Sequence, residues 1–137
     1  MVNLPDLIDR LESGTVEPED IDGQPTLSLR VYETERSQAE LYLLRPGQKI
    51  PAHQHSGIDD VFLGVRGQGQ IRIWDPAGNH VDHVVKAGVI VVVEPGTPHE
   101  VSSVDGDFVY VLTQSPRERY DIHRYEPFSD SGDSATR

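Results

Sequence analysis

His53-Gln54-His55-Ser56-Gly57-Ile58-Asp59-Asp60-Val61-Phe62-Leu63-Gly64-Val65 sets two imidazoles and two carboxylates directly ahead of a run of β-branched and aromatic residues. In extended chain, successive side chains point to opposite faces, so His53 and His55 share one. Two imidazoles on one face are a natural pair of metal ligands, although a His-x-His pair alone is more often a solvent-exposed or hydrogen-bonded pair. Asp60 follows a loop whose Gly57 can return the chain to the same opening, whereas the alternation puts Asp59 on the opposite face. A third imidazole, His99, stands behind the tight Pro95-Gly96-Thr97-Pro98 turn, from which a neighbouring strand would bring it to the pair.

Outward from this stretch the chain reads as short strands. The runs are Leu27 to Tyr32, Glu40 to Leu44, Val61 to Val65, Gln70 to Trp74, Val81 to Val85, Val89 to Val93, His99 to Val104 and Phe108 to Leu112. No helix-length segment separates them, which favours an antiparallel barrel or sandwich over parallel crossovers. Arg45-Pro46-Gly47, Asp75 to Asn79, Glu94-Pro95-Gly96 and Asp105-Gly106-Asp107 supply the turn chemistry, and Asp75 to Asn79 is the clearest hairpin. Gly67-Gln68-Gly69 is not followed by a Lys or a helix, so it is read as a turn between two strands and not as a phosphate loop.

The ends differ from the middle. Leu4, Leu7, Ile8 and Leu11 recur at helical spacing between Asn3 and Ser13, with Pro5 in the first turn and Gly14 as a stop. The acidic stretch Thr15 to Pro25, broken by two prolines and a glycine, is read as a loop or arm. Beyond Pro116 the chain turns Arg-rich, and Ser129 to Arg137 has nothing apolar to bury, so disorder is expected there. The expected organisation is residues 1–26 as helix and arm, 27–116 as barrel and 117–137 as extension.

Composition narrows the chemistry. At 137 residues the chain fits one domain. It has no cysteine, which removes disulfides, thiolate metal sites, iron–sulfur clusters and thiol nucleophiles together. Any metal must be held by nitrogen and oxygen. With 23 acidic and 12 basic residues the formal net charge is −11, so nucleic acids and anionic membranes are repelled at long range. The start has neither a basic region nor a long apolar stretch, and a cytoplasmic protein is expected. No serine sits in a nucleophile elbow.

Two spacings carry a family resemblance. Gly47, five residues, His53-Gln54-His55, four residues, Asp60, six residues and Gly67 resemble the first motif of the cupins; Gly88, six residues and Pro95-Gly96-Thr97-Pro98-His99 resemble the second. The similarity spans about Glu40 to Thr113. It implies an all-β, double-stranded β-helix (jelly-roll) barrel, here with a short N-terminal helix. It departs from the family in three places: Asp60 stands where Glu is usual, Glu94 where Pro is usual and Ser103 where Asn is usual.

The resemblance implies one divalent transition metal ion, held by His53, His55, His99 and Asp60, with iron, manganese, nickel, zinc, cobalt and copper all suited to such donors. If Asp60 points into the barrel, a period of two brings Phe62, Gly64 and Arg66 to the same side, and His99 likewise brings Val101 and Ser103. The expected substrate pocket is therefore mostly apolar. Gly64 would leave space, and Arg66 would either pair with an anionic substrate group or form a salt bridge at the barrel end. His80 and His83 fall on opposite faces of a hairpin strand, and His123 lies near the polar tail, so none is expected to be a ligand.

A metal-dependent dioxygenase acting on a small organic acid or phenol is the leading functional expectation. Alternatives are an oxygen-independent isomerase or decarboxylase and a non-catalytic small-ligand binder. Tyr42, Tyr110 and Glu100 are the candidate bases, depending on which way their strands face. A homodimer, formed through the N-terminal arm and edge strands, is the expected assembly.

Overall fold

The computed structural model describes residues 1–117 and 121–127. Among these residues one helix, α1 (Leu4–Glu12), precedes nine strands: β1 (Glu19–Ile21), β2 (Gln24–Glu33), β3 (Gln38–Leu44), β4 (Lys49–Gln54), β5 (Asp59–Trp74), β6 (His80–Lys86), β7 (Ile90–Val93), β8 (His99–Ser115) and β9 (His123–Arg124). Asn3 caps α1 by accepting the Asp6 N–H at 3.1 Å, and Pro5 occupies the first turn, where its missing N–H is not needed.

Every strand pairing is antiparallel, in the order β1-β2-β3-β8-β4-β9, with β5 pairing β8, β6 and β7. The expected runs at 61–65 and 70–74 are one strand, β5, and those at 99–104 and 108–112 are one strand, β8. Gly67-Gln68-Gly69 and Asp105-Gly106-Asp107 therefore do not reverse the chain. They are where the two long strands bend together, with register shifts at Gly67/Gln68 and Gln68/Gly69. A bulge raises local twist, so the β5–β8 ribbon curls instead of extending flat, and both of its halves enclose one interior. The Asp75 to Asn79 hairpin is present, closed by the Asp75 N–H on the Asn79 carbonyl at 2.8 Å.

Three strands, β1, β4 and β9, lay outside the sequence reading. β1 turns into β2 through Asp22 and Gly23, both at positive φ, so the acidic segment read as an arm is half of a hairpin. β4, Lys49-Ile50-Pro51-Ala52-His53-Gln54, has no hydrophobic alternation, yet it pairs with β8, which sets His53 directly across from His99.

The interior is filled by Leu44, Ile50, Phe62, Ile71, Val85, Val93, Val101, Phe108, Tyr110 and Leu112. A second apolar layer lies outside the barrel wall, where Ile8 and Leu11 of α1 cover Leu41, Leu43 and Val109. The jelly-roll expectation with one short helix is met. Of the expected extension, residues 121–127 pack on the barrel through β9; Ser129 to Arg137 lie outside the described residues. Among the described residues no helix is long and apolar enough to cross a membrane.

Candidate metal centre

The barrel brings His53, His55, Asp60 and His99 together, with one ligand atom from each within 4.8 Å of all the others. His53 is the last but one residue of β4, His55 follows that strand, Asp60 is the second residue of β5 and His99 opens β8. Asp60 and His99 are each 1% exposed, and His53 and His55 7%. Asp59 is exposed on the other side of its strand, as alternation requires.

Each imidazole is oriented by a backbone carbonyl at Nδ1. His53 donates to Pro51 at 2.7 Å, His99 to Thr97 at 2.9 Å and His55 to Asp121. A carbonyl only accepts, so Nδ1 carries the proton and the neutral ring keeps a lone pair on Nε2. The Nε2 atoms of His55 and His99 each lie 3.1 Å from Oδ2 of Asp60. All three of these atoms are buried without a hydrogen-bond partner among the described residues. Lone pairs aimed at a carboxylate oxygen repel it unless a second ring proton or a metal cation stands between them. The donor set fits a borderline transition metal.

The other Asp60 oxygen, Oδ1, accepts from Gln114 Nε2 at 3.1 Å, and Gln114 in turn accepts from Gln38 at 2.9 Å. Burial alone would raise the Asp60 carboxyl, but the His55 and His99 imidazoles outweigh it and hold the group well below the usual carboxylate range. Burial, reinforced by His99, pushes His53 down to about 4. Burial also works to lower His55, but the Asp60 carboxylate and the Asp121 carbonyl together leave it raised.

A cavity of about 70 Å³ opens beside the histidines. Phe62 and Val101 line it, as expected, together with Ile50, Leu112, Tyr42, Tyr110 and Gln114. Ile21 of the unexpected hairpin and Ile122 of the C-terminal segment complete the wall. Beyond them lies an open groove of about 610 Å³ edged by Glu19, Asp20, Asp22, Glu40 and Asp121, with Arg30 tied to Glu33 and Glu40. Tyr42 and Tyr110 stack with ring centroids 5.1 Å apart. Burial raises both phenols, so each stays protonated and is suited to donate rather than to act as a base. Glu100 is engaged elsewhere, 3.7 Å from Lys49.

Three expected pocket residues are not in this cavity. Gly64 is buried but leaves no space: a Cβ there would lie 2.1 Å from the Lys86 carbonyl oxygen, because the Gly64 backbone bonds both Gly88 and Val89. Only glycine permits that approach. Arg66 is turned outward by a bulge between Gly64 and Arg66, which breaks the period of two. Val65 and Arg66 then both lie on the helix side, Val65 among the apolar residues there and Arg66 3.0 Å from Glu12 of α1. Ser103 ties the β3–β4 turn instead, its hydroxyl donating to the Arg45 carbonyl and accepting the Gly47 N–H.

His80 and His83 are exposed on β6, and His123 is exposed on β9, 3.2 Å from Asp121, so none joins the cluster. The sequence reading missed Gln38, Gln114 and Asp121. Gln114 was legible in principle, since period two from Tyr110 and Leu112 puts it on the inner face. Ile122 and Tyr125, in a largely polar extension, were a local sign that this segment returns to the barrel.

Comparison with known proteins agrees with this architecture. Curated proteins give no significant match. Among solved structures, an uncharacterized conserved protein with a double-stranded β-helix domain from Klebsiella pneumoniae is similar, with TM-score 0.64 and 23% identity over 83% of this chain and 93% of that one. KdgF from a Halomonas species aligns with TM-score 0.64 and 19% identity over 74% of this chain and 89% of that one. The Bacillus subtilis oxalate decarboxylase, described for its Mn(II) centres, aligns with TM-score 0.64 and 16% identity over 79% of this chain and 29% of that one. These likenesses show the fold. The sequence profile described as Cupin domain matches residues 40–113, more than half of the chain and inclusive of all four clustered residues, and the chain belongs to the cupin family.

Proposed function

We propose that this cupin is a metal-dependent enzyme of the dioxygenase type, acting on a small phenolic or enolisable molecule. The observation that carries it is the convergence of buried, unpartnered Nε2 and carboxylate lone pairs of His55, His99 and Asp60 beside an apolar cavity that His53 and His55 line. His53, His55 and His99 would bind one divalent transition ion through Nε2, and Asp60 through Oδ2. When bound, the ion supplies Lewis acidity toward a carbonyl, phenolate or enolate oxygen and, if redox-active, electron transfer with dioxygen.

The chain's own groups do the rest. Ile50, Phe62, Val101 and Leu112 exclude water from the reacting carbon. Tyr42 and Tyr110 offer protonated hydroxyls to a developing oxyanion. With Arg66 outside, no cationic side chain among the described residues lines the cavity, which favours the phenol or enol over a substrate clamped by a carboxylate.

Elemental analysis of protein purified without added metal, followed by oxygen-electrode assays of small phenols and enolisable ketones with iron(II), manganese or nickel restored, tests the reading. Metal-dependent oxygen uptake, lost in His53→Ala and His99→Ala, is expected; full activity after metal removal would sink it. The two protonated phenols also favour a second reading, an isomerase or decarboxylase that stabilises an enediolate or carbanion without oxygen. Turnover under strict anaerobiosis distinguishes the two.

A further inference from the structure

We propose that Asp121 is a positioning residue for the metal centre, holding His55 in the tautomer that ligation requires. The inference rests on the metal-binding reading above. His53 and His99 take their orienting carbonyls from two residues upstream on their own segments, Pro51 and Thr97. His55 has no such local partner. Its Nδ1 donates to the main-chain carbonyl of Asp121, 66 residues away.

The same residue's side chain fixes that carbonyl in place. Asp121 Oδ1 accepts the Ser56 N–H at 2.7 Å and the Ser56 hydroxyl, and Oδ2 accepts the Gly57 N–H at 2.7 Å. Asp121 therefore clasps the segment after His55 with its carboxylate while it orients the ring with its backbone. The rest of the C-terminal segment is anchored independently. β9 pairs His123 and Arg124 with Gln54 and His53, the Tyr125 N–H bonds the Ala52 carbonyl at 3.0 Å, and the Tyr125 ring packs on Trp74. Those anchors lie past residue 122 and set the course of the segment, whereas the carboxylate sets the position of the Asp121 carbonyl itself.

Outer partners of this kind fix the tautomer and direction of a ligating imidazole, and their loss weakens metal affinity by about 10–100-fold. Asp121→Ala is expected to lower zinc affinity, measured by chelator competition, by about tenfold or more. Asp121→Asn, which keeps an oxygen for Ser56 but not for Gly57, should recover part of the loss. A second readout is independent of metal: long-range ¹H–¹⁵N spectra of the metal-free protein should show His55 with its proton on Nδ1 in the parent and a mixture of tautomers in Asp121→Ala.

Zinc affinity within twofold of the parent, together with an unchanged His55 tautomer, overturns the proposal. If Asp121→Ala does not fold, Asp121→Asn and Ser56→Ala carry the test, each expected to weaken zinc by a smaller factor, and no change in either overturns it. A folded parent that binds no zinc, manganese or nickel defeats the metal-binding reading instead, and the metal-free spectra still decide whether Asp121 orients His55.

Discussion

Gln114 donates an amide N–H to Oδ1 of Asp60 across 3.1 Å, leaving Oδ2 facing His55 and His99. The carboxylate is thereby oriented to offer one oxygen, and the shorter side chain at this position is supported from behind by an amide. Gln114→Leu removes that support and strands a buried oxygen. The metal-free protein is expected to lose about 1–3 kcal/mol in urea unfolding, and zinc affinity should fall about tenfold.

Metal should act as a folding ligand. Binding to the native state alone stabilises it by about 2.7 kcal/mol when free metal is at 100 times Kd. Thermal unfolding of the parent should therefore move upward with added zinc, nickel or manganese. Asp60→Ala and His99→Ala should abolish the shift, with circular dichroism confirming that both variants are folded.

Acid should weaken the metal-free protein through His53. Its native pKa, about 4, lies below the ordinary 6.5, so between those values the unfolded chain takes up a proton that the native chain refuses. This contribution is fully present above about pH 6.5, declines as pH falls and is lost below about pH 4, amounting to about 3 kcal/mol. Denaturant titrations of the parent and His53→Gln across this range isolate it, because their stability difference should shrink on acidification. In ¹H NMR the His53 ring should titrate near 4.

Gly64→Ala tests the packing of β5 against the turn before β7. The added methyl would sit 2.1 Å from the Lys86 carbonyl oxygen, so the backbone pairing of Gly64 with Gly88 and Val89 must open. Thermal unfolding should show destabilisation of roughly 3 kcal/mol, or the variant should fail to accumulate as folded protein.

Arg66→Ala should do little by comparison. Its ion pair with Glu12 is exposed, a class worth about 0–1 kcal/mol, and the guanidinium is remote from the cavity. Unchanged metal affinity is expected by the same chelator competition. A loss comparable to that of His99→Ala would mean that Arg66 reaches the site after all.

The parts of this architecture written in local patterns were legible in the sequence. The helix shows in the spacing of Leu4, Leu7, Ile8 and Leu11, most strands show as β-branched runs, and the cluster shows because His53, His55 and Asp60 lie within eight consecutive residues and His99 follows a recognisable turn. What failed was set by relations between distant segments. Alternation counts correctly from Asp60 to Phe62 but breaks at the Val65 bulge, which no local signal announces, so the inward placement of Arg66 fails and its alternative, a salt bridge, is what forms. Gly64 reads as space in one dimension and is a contact with Lys86 in three. Asp121 and Ile122 carry no motif, since their role comes only from where β9 pairs.

The outward turn of Arg66 also bears on the order in which a metal and a ligand would load. With Arg66 outside, no cationic side chain among the described residues lines the cavity, the ionised Asp60 lies behind His55, and the groove outside is edged with acids. An anionic ligand approaching the bare site meets repulsion; once a divalent cation is seated, the sign of the local field is inverted. If the proposed function holds, loading is expected to be sequential, cation before ligand, and a chelator that strips the cation should evict a bound phenolate or enolate in the same step.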